Sequence, residues 1–141
     1  MDLQEISDRI EISDVLTRYT RAIDTFEWDK LDTVFTPDAR IDYTESGGIG
    51  AAYPQVKPWL AEMLPAFFSK LMHTLGQVEI ELRGDEADVT AYFHNPMLMD
   101  DGAGGQKVVE IGGLYHHTMT RTPDGWRSRQ LHEQVIWKRN I

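Results

Sequence analysis

The chain predicts an α+β fold in which helices come first and a long antiparallel sheet curls around them. Three observations carry this. Apolar residues recur at three- and four-residue spacing near the start, period-two alternation dominates after Met72, and RGDE, DDGAGG and TPDG punctuate that second part as turns. Helix, helix, strand, helix and then four strands is not the alternating order of a parallel doubly wound sheet. A sheet that long twists and curls, helices cover only its concave face, and the result is a cone with an apolar pocket.

Each element has its own signal. Leu3, Ile6, Ile10, Val15, Tyr19, Ala22, Ile23 and Phe26 make the apolar stripe of a first helix, with Gln4, Glu5, Asp8, Glu11, Asp14 and Arg18 on its polar face. Trp28, Leu31, Val34 and Phe35 share a face of a shorter helix that Pro37 stops. Ala39, Ile41 and Tyr43 alternate with Arg40, Asp42 and Thr44 as a strand, and SGGIGAAYP reads as a loop. QVKPWLAEMLPAFFSKL is a third helix, with Pro58 in its first turn and Pro65 expected to kink or split it. HTLGQVEIEL and ADVTAYFHNPMLM then form a hairpin, followed by QKVVEIGGLYHHTMTR and WRSRQLHEQVIWK.

Composition bounds the function. The 141 residues suit one domain, 1–141, with no linker or repeat. A hydrophobic share of 41% and a charged share of 26% are those of a globular chain. The net charge is −9 and the 14 basic residues are scattered, which argues against nucleic acid as a partner. No apolar run reaches the roughly 18 residues of a membrane-spanning helix, so no membrane partner is expected. The acidic, periodic start is unlike a targeting signal, which makes the cytoplasm the default expectation. There is no cysteine, His116 and His117 point to opposite faces of one strand, and no HxH or HExxH spacing occurs, so no metal is expected. SGGIG and DGAGG lack the lysine and the strand-to-helix context of a phosphate loop, and no cofactor is expected.

Strand parity nominates pocket residues. Val109, Ile111, Gly113, Tyr115, His117 and Met119 share one face, and Phe93, Asn95, Met97 and Met99 share the matching one. Tyr115, His117, Phe93, Asn95 and Met97 are thus substrate-binding candidates, while His94 and His116 face outward. Asn95 suits a substrate oxygen, His117 suits either a deep-pocket or a structural place, and Arg129 either reaches a substrate anion or lies on the surface. His73 has the wrong parity relative to Val78, Ile80 and Leu82. It faces the same cavity only if the strand carries a one-residue bulge, for which Gly76 is the natural place. By spacing alone, Asp24 reads as the cap of a capping box with Glu27, and Tyr19 and Tyr43 read as core tyrosines.

Nearly the whole chain resembles the SnoaL-like branch of the nuclear transport factor 2-like superfamily. The carriers are YTRAID at 19–24, HTLG from His73, EIGGLYHHTMTRTPDGW at 110–126 and the spacing between them. The likeness is to its scytalone dehydratase, bile acid 7α-dehydratase and hexachlorocyclohexane dehydrochlorinase members. It implies a cone-shaped α+β barrel with a curved mixed sheet wrapped around helices. It also implies a catalytic set in which His73 is the base, Asp24 orients it, and Tyr19 and Tyr43 act as acid or hold a carbonyl. Such a set suits elimination or isomerisation of a hydrophobic, carbonyl-bearing molecule, for example a polyketide, steroid-like or aromatic intermediate. A cyclase or hydrolase on the same scaffold, or a non-catalytic ligand-binding or association domain, are the alternatives. The resemblance further implies a homo-oligomer, with a trimer favoured over a dimer. Trp126, Trp137, Leu114 and Ile136 are candidates for the outer sheet face that such assembly covers.

Overall fold

In the computed structural model, which describes residues 1–141, the first helix, α1, spans Leu3–Asp24 and opens on Asp2, whose side chain accepts from the backbone N–H of Glu5 at 2.8 Å. Its buried face is Asp8, Ile12, Val15, Leu16, Tyr19, Thr20, Ala22 and Ile23. Leu3, Ile6 and Ile10, expected on that stripe, are exposed, and Asp8, expected on the polar face, is buried. The exchange has a physical basis: Asp8 accepts two hydrogen bonds from Arg121 at 2.7 and 2.8 Å and one from the Trp126 indole at 3.1 Å. A buried carboxylate is tolerated when its oxygens are paired in this way.

The second helix is a 3₁₀ turn, Trp28–Thr33, rather than an α-helix. Val34 and Phe35 leave it, and the first strand, β1, runs Phe35–Asp42 straight through Pro37. Tyr43 lies just past that strand, at the cap of a short 3₁₀ turn, Thr44–Ser46. After β2 (Gly50–Ala52), helix α2 spans Tyr53–Phe67. It begins two residues earlier than the pattern suggested, with Pro54 in its first turn. Pro65 does not split it, because it falls in the last turn and Phe68 closes the helix by donating its N–H to Leu64 at 2.8 Å. The Tyr53 hydroxyl and Lys57 Nζ both bond the Asp32 carboxylate, which ties α2 to the 3₁₀ turn.

The remaining chain is sheet: β3 (Lys70–Leu71), β4 (Thr74–Arg83), β5 (Glu86–Asp100), β6 (Gln106–Thr122) and β7 (Gly125–Arg139). The order is β2-β1-β7-β6-β5-β3, with β4 also on β5. Only β1 and β7 run parallel, so the sheet is mixed. A cluster of 27 buried apolar residues fills the space between its concave face and the helices. Trp126, expected on the outer face, is fully buried at the α1 end of this core, held by Asp8 and covered by the Arg121 guanidinium 4.8 Å from its ring centre. Trp137 and Ile136 are exposed, as expected of the convex face.

Two irregularities aim the site. Gly76 pairs with Tyr92 and Glu79 with Thr90, so Gln77 and Val78 together oppose Ala91 alone. This is a bulge, one residue beyond Gly76, with Gln77 at φ 48°. The bulge reverses parity: Ile80 and Leu82 pack on the core after it, Leu75 and His73 turn the same way before it, and Val78 is left exposed. On β7 a second register shift pairs Thr118 with Gln130 but Met119 with Ser128, which leaves Arg129 as the extra residue.

Candidate active site

Between α1, α2 and the concave sheet lies a cavity of about 410 Å³, the scale of a site for a small molecule. Its wall is mainly apolar: Ile23, Trp59, Leu60, Met63, Leu64 and Phe68 from the helical side, and Met97, Met99 and Ile111 from the sheet. Against this wall stand His73, the Tyr19, Tyr43 and Tyr115 phenols, Asn95 and Glu133, with Ser46, Lys107 and Asn140 also on the lining. Gly48 completes it, since a Cβ there would sit 2.8 Å from both Trp59 and Tyr43.

His73 precedes β4 with only 4% of its side chain exposed. Asp24, the last residue of α1, meets it twice, its Oδ2 accepting from the His73 backbone N–H at 2.8 Å and its Oδ1 lying 2.5 Å from ring Nδ1. Asp24 therefore caps nothing. The position before the 3₁₀ turn is taken by Glu27, with no side-chain cap bond. With Asp24 Oδ1 accepting from Nδ1–H, the neutral imidazole keeps its lone pair on Nε2.

The Tyr19 and Tyr43 hydroxyls lie 2.5 Å apart, both rings buried. Burial pushes both phenols well above the ordinary value, so both keep their protons, and Tyr115 is raised the same way. One hydroxyl must donate to the other, and the acceptor retains an O–H to offer elsewhere. Tyr115 stands edge-on to Tyr19, with ring centres 5.4 Å apart, and 6.3 Å from the His73 ring. In the strand register His73 stands opposite Asn95, since Leu71 pairs with Met97 and Thr74 with His94. Asn95 Oδ1 is buried without a hydrogen-bond partner.

Tyr19, Tyr43, His73, Asn95, Met97 and Tyr115 line the cavity, with Asp24 directly behind His73. Three expected pocket residues do not. Phe93 lies behind Tyr115, stacked on it at 4.2 Å. His117 is buried against Ser128 Oγ at 2.8 Å, and desolvation pushes its imidazole down to about 3, so it stays neutral in the core. Arg129, thrown outward by the β7 bulge, bonds Glu86 on the exposed surface. Glu133 also lines the cavity and is not among the expected residues, although Leu131, Glu133 and Val135 alternate onto one strand face. No three His, Asp or Glu side chains are gathered to hold a metal ion.

A family model described as a SnoaL-like domain matches residues 4–132. The chain belongs to the SnoaL-like domain family. Within this family context it is 44% identical to an uncharacterised Mycobacterium tuberculosis protein, over 90% of this chain and 84% of that one. A nuclear transport factor 2-like superfamily protein of Salmonella enterica superposes with a TM-score of 0.80 at 18% identity, covering 97% of this chain and 96% of the other. Hexachlorocyclohexane dehydrochlorinase type 3 of Novosphingobium barchaimii superposes with a TM-score of 0.85 at 15% identity, covering 99% and 93%. At these identities the two structures establish the fold, which is the nuclear transport factor 2-like α+β cone.

Proposed function

We propose that this SnoaL-like protein is a cofactor-independent lyase or isomerase that removes a proton beside the carbonyl of a hydrophobic small molecule. The observation that carries this reading is the His73–Asp24 pair at 2.5 Å on the wall of a mainly apolar cavity. Nε2 of His73 takes the proton, and Asp24 fixes the tautomer and stabilises the imidazolium that results. The hydroxyl left free by the Tyr19–Tyr43 pair donates to the substrate carbonyl, where negative charge gathers as the proton leaves. The apolar wall around them binds the substrate skeleton and strengthens these polar contacts by excluding water.

The convex sheet face exposes Tyr92, Val108, Ile136 and Trp137, an apolar surface that supports association into a homo-oligomer as part of the same reading. No helix is long and apolar enough to cross a membrane.

The test is a panel of β-hydroxy aryl ketones, for elimination, and β,γ-unsaturated ketones, for isomerisation. At least one is converted by the wild-type protein, and His73→Gln lowers kcat/KM on the order of 10²-fold or more. Equal rates for the two proteins would refute the role of His73.

A further inference from the structure

Glu133 is a carboxyl inside the cavity that the proton abstraction leaves unused. It lies on β7 opposite Tyr115 in the β6–β7 register, is 7% exposed, and its Oε1 has no hydrogen-bond partner. A carboxylate oxygen buried without a hydrogen-bond partner is costly, and protonation is the ordinary escape. The groups around it leave that escape open. Tyr19 faces it from α1, Tyr43, Glu45 and Ser46 from the segment after β1, Tyr115 from β6, and His132 and Lys138 lie on its own strand. Ser46, Lys138 and His132 favour the charged form and Glu45 opposes it, but burial outweighs all of them and pushes the carboxyl up to about 7.

Elimination needs an acid only when the leaving group is a poor one. Chloride departs without a proton, whereas hydroxide must be protonated as it leaves. The three phenols hold their protons far above neutral pH. They therefore suit hydrogen bonding to a carbonyl better than proton delivery, because a general acid works best when it titrates near the working pH.

We propose that Glu133 is the acid that protonates a departing hydroxyl, and that the substrate class is accordingly a hydrophobic β-hydroxy carbonyl compound rather than a halide. This rests on His73 as the base. His73 Nε2 takes the α-proton, the C–H electron pair becomes the new C=C bond, and the C–O bond breaks. The oxygen takes the Glu133 proton and leaves as water. One proton passing through solvent from the imidazolium to the Glu133 carboxylate restores both groups, and the net change is hydroxy ketone to enone plus water.

Infrared spectroscopy of the full chain decides the resting state without any substrate. A carboxylic-acid carbonyl band should be present at about pH 6, lost by about pH 8 and missing in the isosteric Glu133→Gln. A Glu133 already ionised at about pH 6 overturns the proposal. The kinetic arm compares a β-hydroxy aryl ketone with the β-chloro ketone of the same skeleton. Glu133→Gln should slow loss of water by roughly 10²-fold or more and loss of chloride by no more than about threefold. Equal losses, or none, overturn it. If His73→Gln abolishes both eliminations while Glu133→Gln spares both, the base reading stands and the assignment of Glu133 alone falls. If His73→Gln spares both, the base reading itself fails.

Discussion

Asp24 grips His73 at two points, through the backbone N–H at 2.8 Å and through ring Nδ1 at 2.5 Å. The first bond fixes where the chain enters β4 and the second fixes the ring, so the carboxylate positions both the base and the strand that carries it. Asp24→Asn keeps the shape but offers an amide where the ring needs an acceptor. It should lower kcat on the order of 10²- to 10⁴-fold with a much smaller change in KM, measured by steady-state kinetics on a converted ketone. A purely structural role would instead appear as a lower denaturation midpoint with kcat intact.

The two phenols 2.5 Å apart are coupled. Tyr19→Phe or Tyr43→Phe leaves the surviving hydroxyl buried without its partner, which should destabilise the fold by about 1–3 kcal/mol in urea titration. The double variant removes both hydroxyls and should cost less than the two single changes added together. Strict additivity would mean that the pair does not interact.

Burial of Glu133 makes stability depend on pH. Its folded value of about 7 lies above its ordinary 4.5, so between these values the folded state holds a proton that the unfolded chain releases. Stability falls as pH rises through this window and the loss is complete above about pH 7, amounting to roughly 3 kcal/mol. Glu133→Gln should abolish that fall, and thermal unfolding of both proteins at about pH 5 and pH 8 checks it.

Gln77 holds φ 48° at the bulge that turns His73 inward. Gln77→Gly should be neutral or stabilising by up to about 1 kcal/mol, because only glycine enters this region without penalty. Gln77→Pro, whose φ is locked near −65°, should be strongly destabilising and should weaken ligand binding in the cavity. Urea titration and binding of an aryl ketone measure the two effects.

Much of this was legible in the residues. The helical and strand periods foretold the curled sheet, and the parity of Tyr115, Asn95 and Met97 foretold the cavity face. Parity also showed that His73 needed a bulge, because the strand period is strictly two. It failed where chemistry far along the chain overrides local pattern. Asp8 looked solvated until Arg121 and Trp126, over 100 residues away, came to bond it. Trp126 was buried by the same contact. Arg129 was displaced by a bulge that no glycine announces, and Pro37 stands within β1 rather than ending a helix. Glu133 escapes the pattern because a charged residue on an apolar strand face reads as an exception, and at this position the exception lines the cavity.

The central claim is proton abstraction by His73, and deuterium incorporation tests it without knowledge of the natural substrate. A hydrophobic aryl ketone incubated with the protein in deuterated buffer should gain deuterium at its α-carbon, followed by proton NMR. The wild-type protein should accelerate this exchange well above buffer, Asp24→Asn should do so weakly, and His73→Gln should fall to the buffer rate. Exchange by His73→Gln at the wild-type rate would contradict the account.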